Sequence, residues 1–328
     1  TAFAAVTGTS IASAAAFTRI AWPEMKKAGY NHSFALGAIS GSACLGMLIP
    51  PSVLLIVWGI ITEDSIGKLF VAGVIPGILL ALLYVTYNLV RAIMKPELAP
   101  EPDQVGLTTK LTKTEIYSGF SIIALIFLVL GGIWGGIFTA TEAAGMGAIA
   151  SFIIALCKGM NFKGVVDSVI DAGKTSAPIM ILLITAGMYS RFLSLSDINS
   201  IILEAITSVG LNQFAILIMM VVIWLVLGML LDSISIILLT VPLFIHLVPE
   251  MNPYAFAIFG ILAIEAGLLT PPFGLIVYTV KGVLTGSNDN VPLGTIFMGS
   301  IPYWIMMLFV MIMVYLIPEL ASWPTKFV

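Results

Sequence analysis

Apolar runs recur along this chain at 33–61, 70–90, 116–133, 139–157, 175–192, 254–283 and 296–317. A helix crossing the hydrocarbon core of a bilayer needs about 20 such residues, so the pattern predicts a multi-pass helical protein. Two runs carry a break near their middle. One reads Gly46-Met47-Leu48-Ile49-Pro50-Pro51-Ser52, the other Gly267-Leu268-Leu269-Thr270-Pro271-Pro272-Phe273-Gly274-Leu275. Adjacent prolines remove two backbone donors and glycines pack weakly, so a continuous helix is expected to stop at both places. Irregular backbone deep in a membrane is tolerated only where protein or a wet cavity covers it, and two such breaks in one chain point to a carrier's central site.

Shorter apolar stretches at 1–22, 214–231 and 234–248 fall short of a full span and are read as arms of re-entrant hairpins. The stretch 23–32 is expected to be loop, and the amphipathic stretch 199–208 to lie along the interface. Four sequence echoes then occur in the same order. Thr9-Ser10-Ile11 answers Asp232-Ser233-Ile234, Pro23-Glu24-Met25 answers Pro249-Glu250-Met251, Leu48-Ile49-Pro50-Pro51 answers Leu269-Thr270-Pro271-Pro272, and Gly73-Val74-Ile75-Pro76 answers Gly299-Ser300-Ile301-Pro302. They predict two related halves: 1–95 as the C-terminal part of a first repeat whose earlier helices are missing, 96–115 as a cytoplasmic linker, and 116–328 as the second repeat.

The basic residues orient these halves. With Lys26-Lys27 on the cytoplasmic side, the predicted crossings put Arg91, Lys95, Lys110, Lys113, Lys158, Lys163, Lys174 and Lys281 on that side, and Lys68, Arg191 and Lys326 opposite. The two hairpins then enter from opposite faces, and the C-terminus lies outside. The expected fold is an all-α polytopic membrane protein of two inverted-topology repeats, each with a re-entrant hairpin and a broken helix, moving as an elevator.

Composition agrees with this reading. Only 9% of residues are charged, 59% are hydrophobic and mean hydropathy is +1.10, far from a soluble domain. The net charge of -3 leaves no basic nucleic-acid face. Cys44 and Cys157 sit in apolar segments and read as small core residues, and His32 and His246 lack partners at ligand spacing. The opening Thr1-Ala2-Phe3 has no charged n-region, so no signal peptide is expected.

At each hairpin tip, unpaired carbonyls and hydroxyls would build a hard-oxygen cage suited to an alkali cation, with sodium the expected ion. Thr9, Ser10 and Ser13 with Gly46 and Pro50 form one candidate cage; Ser233 and Ser235 with Gly267 and Thr270 form its counterpart. Candidate substrate contacts are Ser10, Ser42, Pro51, Arg191, Asp232, Ser235 and Pro271. Asp232 is the sharpest of these, because an intramembrane carboxylate is expensive and defaults to a functional role, although it also suits a helix N-cap. Glu265 lies just before the second break, where it could face the same cavity, whereas Glu142 reads as a first-turn helix charge. Arg191 suits either a substrate carboxylate or the headgroups, and Trp134, Trp304 and Trp323 are expected at span ends. An intramembrane protease would need a Ser–His pair or two facing aspartates, which these positions do not supply, and a channel does not require tips closed from both faces.

The chain resembles the large membrane subunit of tripartite ATP-independent periplasmic (TRAP) transporters, within the wider ion-transporter group. The resemblance rests on Gly8-Thr9-Ser10, Pro23-Glu24-Met25 with Gly29-Tyr30, 46–52, Thr139-Ala140-Thr141-Glu142-Ala143-Ala144, Gly228-Met229 with Asp232, and 267–274. It implies sodium-driven uptake of an organic acid, such as a C4-dicarboxylate or sialic acid, with two or more Na+ ions. It further implies a bacterial inner-membrane location, a small membrane subunit and a periplasmic substrate-binding protein; a stand-alone carrier of the same superfamily is the alternative. One departure is Ile276-Val277, where the family usually has an Asn after the second break.

Overall fold

The structure, a computed structural model, describes residues 9–100, 112–208, 210, 212–287 and 289–328, and all regular structure among them is helical. The first four helices are α1 (Ser10–Lys27), α2 (His32–Leu45), α3 (Val53–Thr62) and α4 (Ile66–Met94). Then come α5 (Lys113–Trp134), α6 (Ala140–Cys157), α7 (Phe162–Leu195) and α8 (Ile198–Ser208). The last six are α9 (Gln213–Gly228), α10 (Ser233–Phe244), α11 (Pro253–Gly267), α12 (Leu275–Gly286), α13 (Leu293–Leu316) and the short α14 (Glu319–Ser322). Five helices among the described residues are long and apolar enough to cross a membrane: α4, α5 from Ile116, α6, α7 and α13.

Both expected breaks are present. The first run stops at Leu45 and restarts at Val53; the second stops at Gly267 and restarts at Leu275. At 1.5 Å rise per residue, the 14 and 10 residues of α2 and α3 reach only ~21 and ~15 Å, so neither crosses a core about 30 Å thick alone. Between α9 and α10 the chain also turns sharply, with Asp232 capping the second arm.

Contacts divide the chain into two units, Thr1–Leu107 with Leu193–Lys326, and Thr108–Phe192 with Phe327–Val328. In the first, packing is reciprocal. α1 lies against α12 while α10 lies against α3, and α2 lies against α13 while α11 lies against α4. The α2–α13 crossing is close enough that a Cβ on Gly37 would fall 2.1 Å from the Gly299 carbonyl oxygen, so only glycine fits there. The starts of α2 and α11 are built alike. The Asn31 side chain caps α2 through the amides of Ser33 and Phe34, and Asn252 caps α11 through those of Tyr254 and Ala255.

In the second unit α5 packs on α6. The expected first-turn role of Glu142 is met: its carboxylate accepts from the Thr139 backbone at 2.8 Å, while the Thr139 hydroxyl accepts from the Glu142 amide.

Four expectations need correction. Cys157, read as a core residue, is exposed at the end of α6, while Cys44 is buried. The segment expected as loop from residue 23 continues α1 to Lys27, with Pro23 inside it. A proline there removes one donor only, Lys26 and Lys27 favour the C-terminal dipole, and Gly29 at φ +86° ends the turn. The span expected at 175–192 is a 34-residue helix, because Lys163, Asp167, Asp171 and Lys174 recur at helical spacing, all exposed, rather than marking a loop. Trp304 sits in the middle of α13 and its indole N–H donates to the Thr270 hydroxyl at 2.9 Å, so it braces the second break instead of marking a span end.

Candidate functional site

Each break is closed by a hydroxyl. At the first, Ser52 donates to the Met47 carbonyl at 2.5 Å and accepts from the Leu55 amide, which caps α3. At the second, Thr270 donates to the Ala266 carbonyl at 2.8 Å and accepts from Trp304. The Pro50-Pro51 and Pro271-Pro272 bonds are both cis. The two breaks differ in cover: Pro50 and Ser52 are buried and Pro51 half-buried, whereas Pro271, Pro272 and Phe273 are exposed.

The two tips meet on one side chain. Ser10, first residue of α1, donates to Oε1 of Glu265 at 3.4 Å, and Ser233, first residue of α10, donates to the same oxygen at 2.6 Å. Glu265 is 2% exposed, and its other oxygen, Oε2, is shut off from solvent without a hydrogen-bond partner among the described residues. Such a state is unusual, because buried polar atoms ordinarily find a partner. The Cys44 thiol points at the Glu265 carbonyl, 4.0 Å away. Cys44 and Glu265 are 221 positions apart, and the same separation relates Asn31 to Asn252, Gly46 to Gly267 and Pro50 to Pro271. Glu265 and Cys44 thus share the spacing of these matched pairs, a carboxylate in one stretch of sequence and a thiol in the other.

Above this junction lies a cavity of about 340 Å³ lined by Thr9, Ser10, Met47, Asp232 and Ser233, with apolar walls from Ile11, Ala12, Ala15, Leu54 and Ile234. Among the described residues, Asp232 is the one charged side chain in that lining. Its Oδ2 accepts from the Ser235 amide at 3.2 Å and its Oδ1 from the Ser235 hydroxyl, so capping is one of its roles. Thr9 caps α1 in the same way, through the Ala12 amide. A larger groove of about 430 Å³, walled by Phe214, Phe259, Met311 and Tyr315 among others, is almost wholly apolar.

Of the candidate residues, the structure brings Thr9, Ser10, Asp232 and Ser233 together, with Ser235 behind Asp232. Ser13 is buried one turn along α1, Gly46 and Pro50 lie in the first break, and Gly267, Thr270 and Pro271 in the second. Gly267 is tightly held: a Cβ on Gly228 would come within 2.6 Å of its Cα. The Ser42 hydroxyl turns back onto the Ile39 carbonyl at 3.2 Å. Arg191 belongs to the second unit, on α7, and Gly8 lies outside the described residues. What sequence reasoning understated is Glu265. Its place just before the second break hinted at the cavity, but its hold on both tips did not show.

The model of the tripartite ATP-independent periplasmic transporter DctM component matches residues 1–320. This chain belongs to the DctM family. The family relation extends to named large permeases. One is the C4-dicarboxylate TRAP transporter large permease protein DctM of Pseudomonas aeruginosa, 31% identical over 323 residues, covering 97% of this chain and 74% of that protein. The ectoine/5-hydroxyectoine TRAP transporter large permease protein UehC of Ruegeria pomeroyi is 28% identical over 327 residues, covering 98% and 74%. The sialic acid TRAP transporter permease protein SiaT of Haemophilus influenzae is 27% identical over 330 residues, covering 98% of this chain and 51% of its own length. As a DctM-family member the chain is a multi-pass membrane transporter component and not an enzyme.

Proposed function

We propose that this DctM-family chain carries a small organic acid across the bacterial inner membrane by sodium symport, receiving it from a periplasmic substrate-binding protein and working beside a small membrane subunit. The observation that carries the reading is electrostatic. The cavity presents Asp232 to its contents, and Glu265 lies just beneath with one oxygen unpartnered. A carboxylate entering there meets the Asp232 charge, with a second acid beneath it, in a medium of low dielectric, where repulsion is several-fold stronger than in water. Cations bound at the tips and breaks reverse that repulsion, so cargo and ions enter together. Two or more sodium ions fit the number of break and tip sites.

The reciprocal packing of α1 on α12 and α10 on α3 supports the inverted-repeat reading, because exchanging the halves exchanges the contacts. Both tips are tied to one buried carboxylate, which favours movement of the core as a rigid body, as an elevator requires. The substrates named for relatives range from C4-dicarboxylates to ectoine, and Asp232 in the lining favours a cargo that brings a cation with it or carries one.

The test is uptake into proteoliposomes holding the complete transporter, with its binding protein outside. An inward sodium gradient is expected to drive accumulation of a C4-dicarboxylate, sialic acid or ectoine from a panel. Accumulation that persists when potassium replaces sodium would overturn the coupling ion.

A further inference from the structure

A second, smaller cavity of about 120 Å³ lies away from the tips and shares no lining residue with the first. Its walls include Asn31, Ser33, Tyr87, Arg91, Leu98 and Met298. Arg91 stands in the last turn of α4. Its Nε is shut off from solvent and finds no hydrogen-bond partner among the described residues. A guanidinium nitrogen left this way lacks a partner that its neighbours ordinarily supply.

Among the described residues, the rest of the lining is donor-rich and holds no carboxylate. Asn31 spends its side-chain oxygen on the amides of Ser33 and Phe34, at 3.0 and 3.2 Å, which leaves its NH2 group as the free end. Its backbone amide holds the Leu98 carbonyl at 3.1 Å and fixes the rim. Ser33 and Tyr87 add hydroxyls. The nearest acidic side chain in sequence, Glu97, is exposed and outside the lining. On α4 beside the pocket, Val90, Ile93 and Met94 are exposed apolar residues, and Met298 on the pocket wall is 66% exposed. The pocket thus sits where an apolar outer surface meets a cluster of donors.

We propose that this pocket binds a phosphate group, with Arg91 as its fork and Asn31, Ser33 and Tyr87 as further donors. Arg matches phosphate oxygens through paired N–H bonds, which a lone ammonium cannot do. The space suits a tetrahedral oxyanion and is too small for a sugar acid. The group is supplied either by an anionic phospholipid, whose tails would lie along the exposed face of α4, or by free inorganic phosphate.

The complete transporter, delipidated in detergent, is titrated with dioctanoylphosphatidylglycerol, dioctanoylglycerol or inorganic phosphate and read by native mass spectrometry. A bound adduct is expected with the phospholipid or with inorganic phosphate, and at least tenfold weaker in Arg91→Gln. Phospholipid alone identifies a lipid site, and phosphate alone a free-anion site; either supports the proposal. Arg91→Lys is expected to bind weakly and Tyr87→Phe to lose less, which keeps the test open if Arg91→Gln folds poorly. Equal binding of dioctanoylglycerol and the phospholipid, or equal binding by wild type and the Arg91 variants, would overturn it.

Discussion

Ser10 and Ser233 place their hydroxyls on the same oxygen of Glu265, although they begin two helices far apart in the chain. The tips are thereby joined through one acceptor. Removing the acceptor should loosen both at once, whereas removing one donor should loosen one.

Ser233→Ala deletes the shorter bond to a buried carboxylate, and hydrogen bonds to charged groups contribute about 1.5–3 kcal/mol. That loss is expected in thermal unfolding of the detergent-solubilised transporter, with a smaller one for Ser10→Ala, whose bond is 3.4 Å long. Glu265→Gln keeps an acceptor for both serines while removing the charge. It is expected to retain most of the stability and to weaken sodium dependence; unchanged sodium affinity would make Glu265 a structural joint only.

Asp232 caps α10 and lines the cavity, and two substitutions separate those roles. Asp232→Ala loses the cap, about 1 kcal/mol, as well as the charge. Asp232→Asn caps nearly as well and loses the charge alone. Both variants are expected to abolish sodium-driven uptake, with normal folding in Asp232→Asn. Near-normal uptake by Asp232→Asn would leave only the cap.

Gly228 and Gly267 let α9 and α11 touch backbone to backbone. Gly228→Ala puts a methyl 2.6 Å from the Gly267 Cα, and overpacking of this kind costs about 1–3 kcal/mol. Gly282 on α12 has nothing within 4 Å of a built Cβ, so Gly282→Ala is expected to stabilise by roughly 0.5–1 kcal/mol. Denaturation midpoints of the two variants moving the same way would contradict this packing.

Asp289 ties the turn before α13 to α1, accepting from the Trp22 indole at 2.7 Å and pairing with Lys26. Those hydrogen bonds, Lys26 first and then Trp22, hold its carboxyl below the usual aspartate range. A lowered pKa stabilises the folded state above the unfolded value, and the benefit fades as pH falls through the folded one. The gap in melting temperature between wild type and Asp289→Asn is expected to be constant near neutrality and to close in acid below about pH 4. A gap that widens in acid would contradict the pairing.

Much of the helix layout was legible because its signals are local. Pro50-Pro51 and Pro271-Pro272 interrupt a helix whatever surrounds them, and Asn31 and Asn252 cap within three residues. The extent of α7 was not legible, because Lys163, Asp167, Asp171 and Lys174 end an apolar run without ending a helix. Within the site, Asp232 and the serines at the tips announced themselves by polarity in apolar surroundings. The junction at Glu265 did not, since it depends on α1, α10 and α11 meeting in space. Trp304 was misplaced for a similar reason: its partner, Thr270, lies far from it in sequence, in the second break.

The most direct measurement is a density map of the complete transporter in sodium, compared with one in a large organic cation that no oxygen cage admits. Density is expected at the breaks 46–52 and 267–274 and beside the tips at Ser10 and Ser233, in contact with oxygen atoms, in sodium only. Bare breaks and tips in both maps, from a preparation that still accumulates substrate, would contradict a carrier that holds its driving ions there.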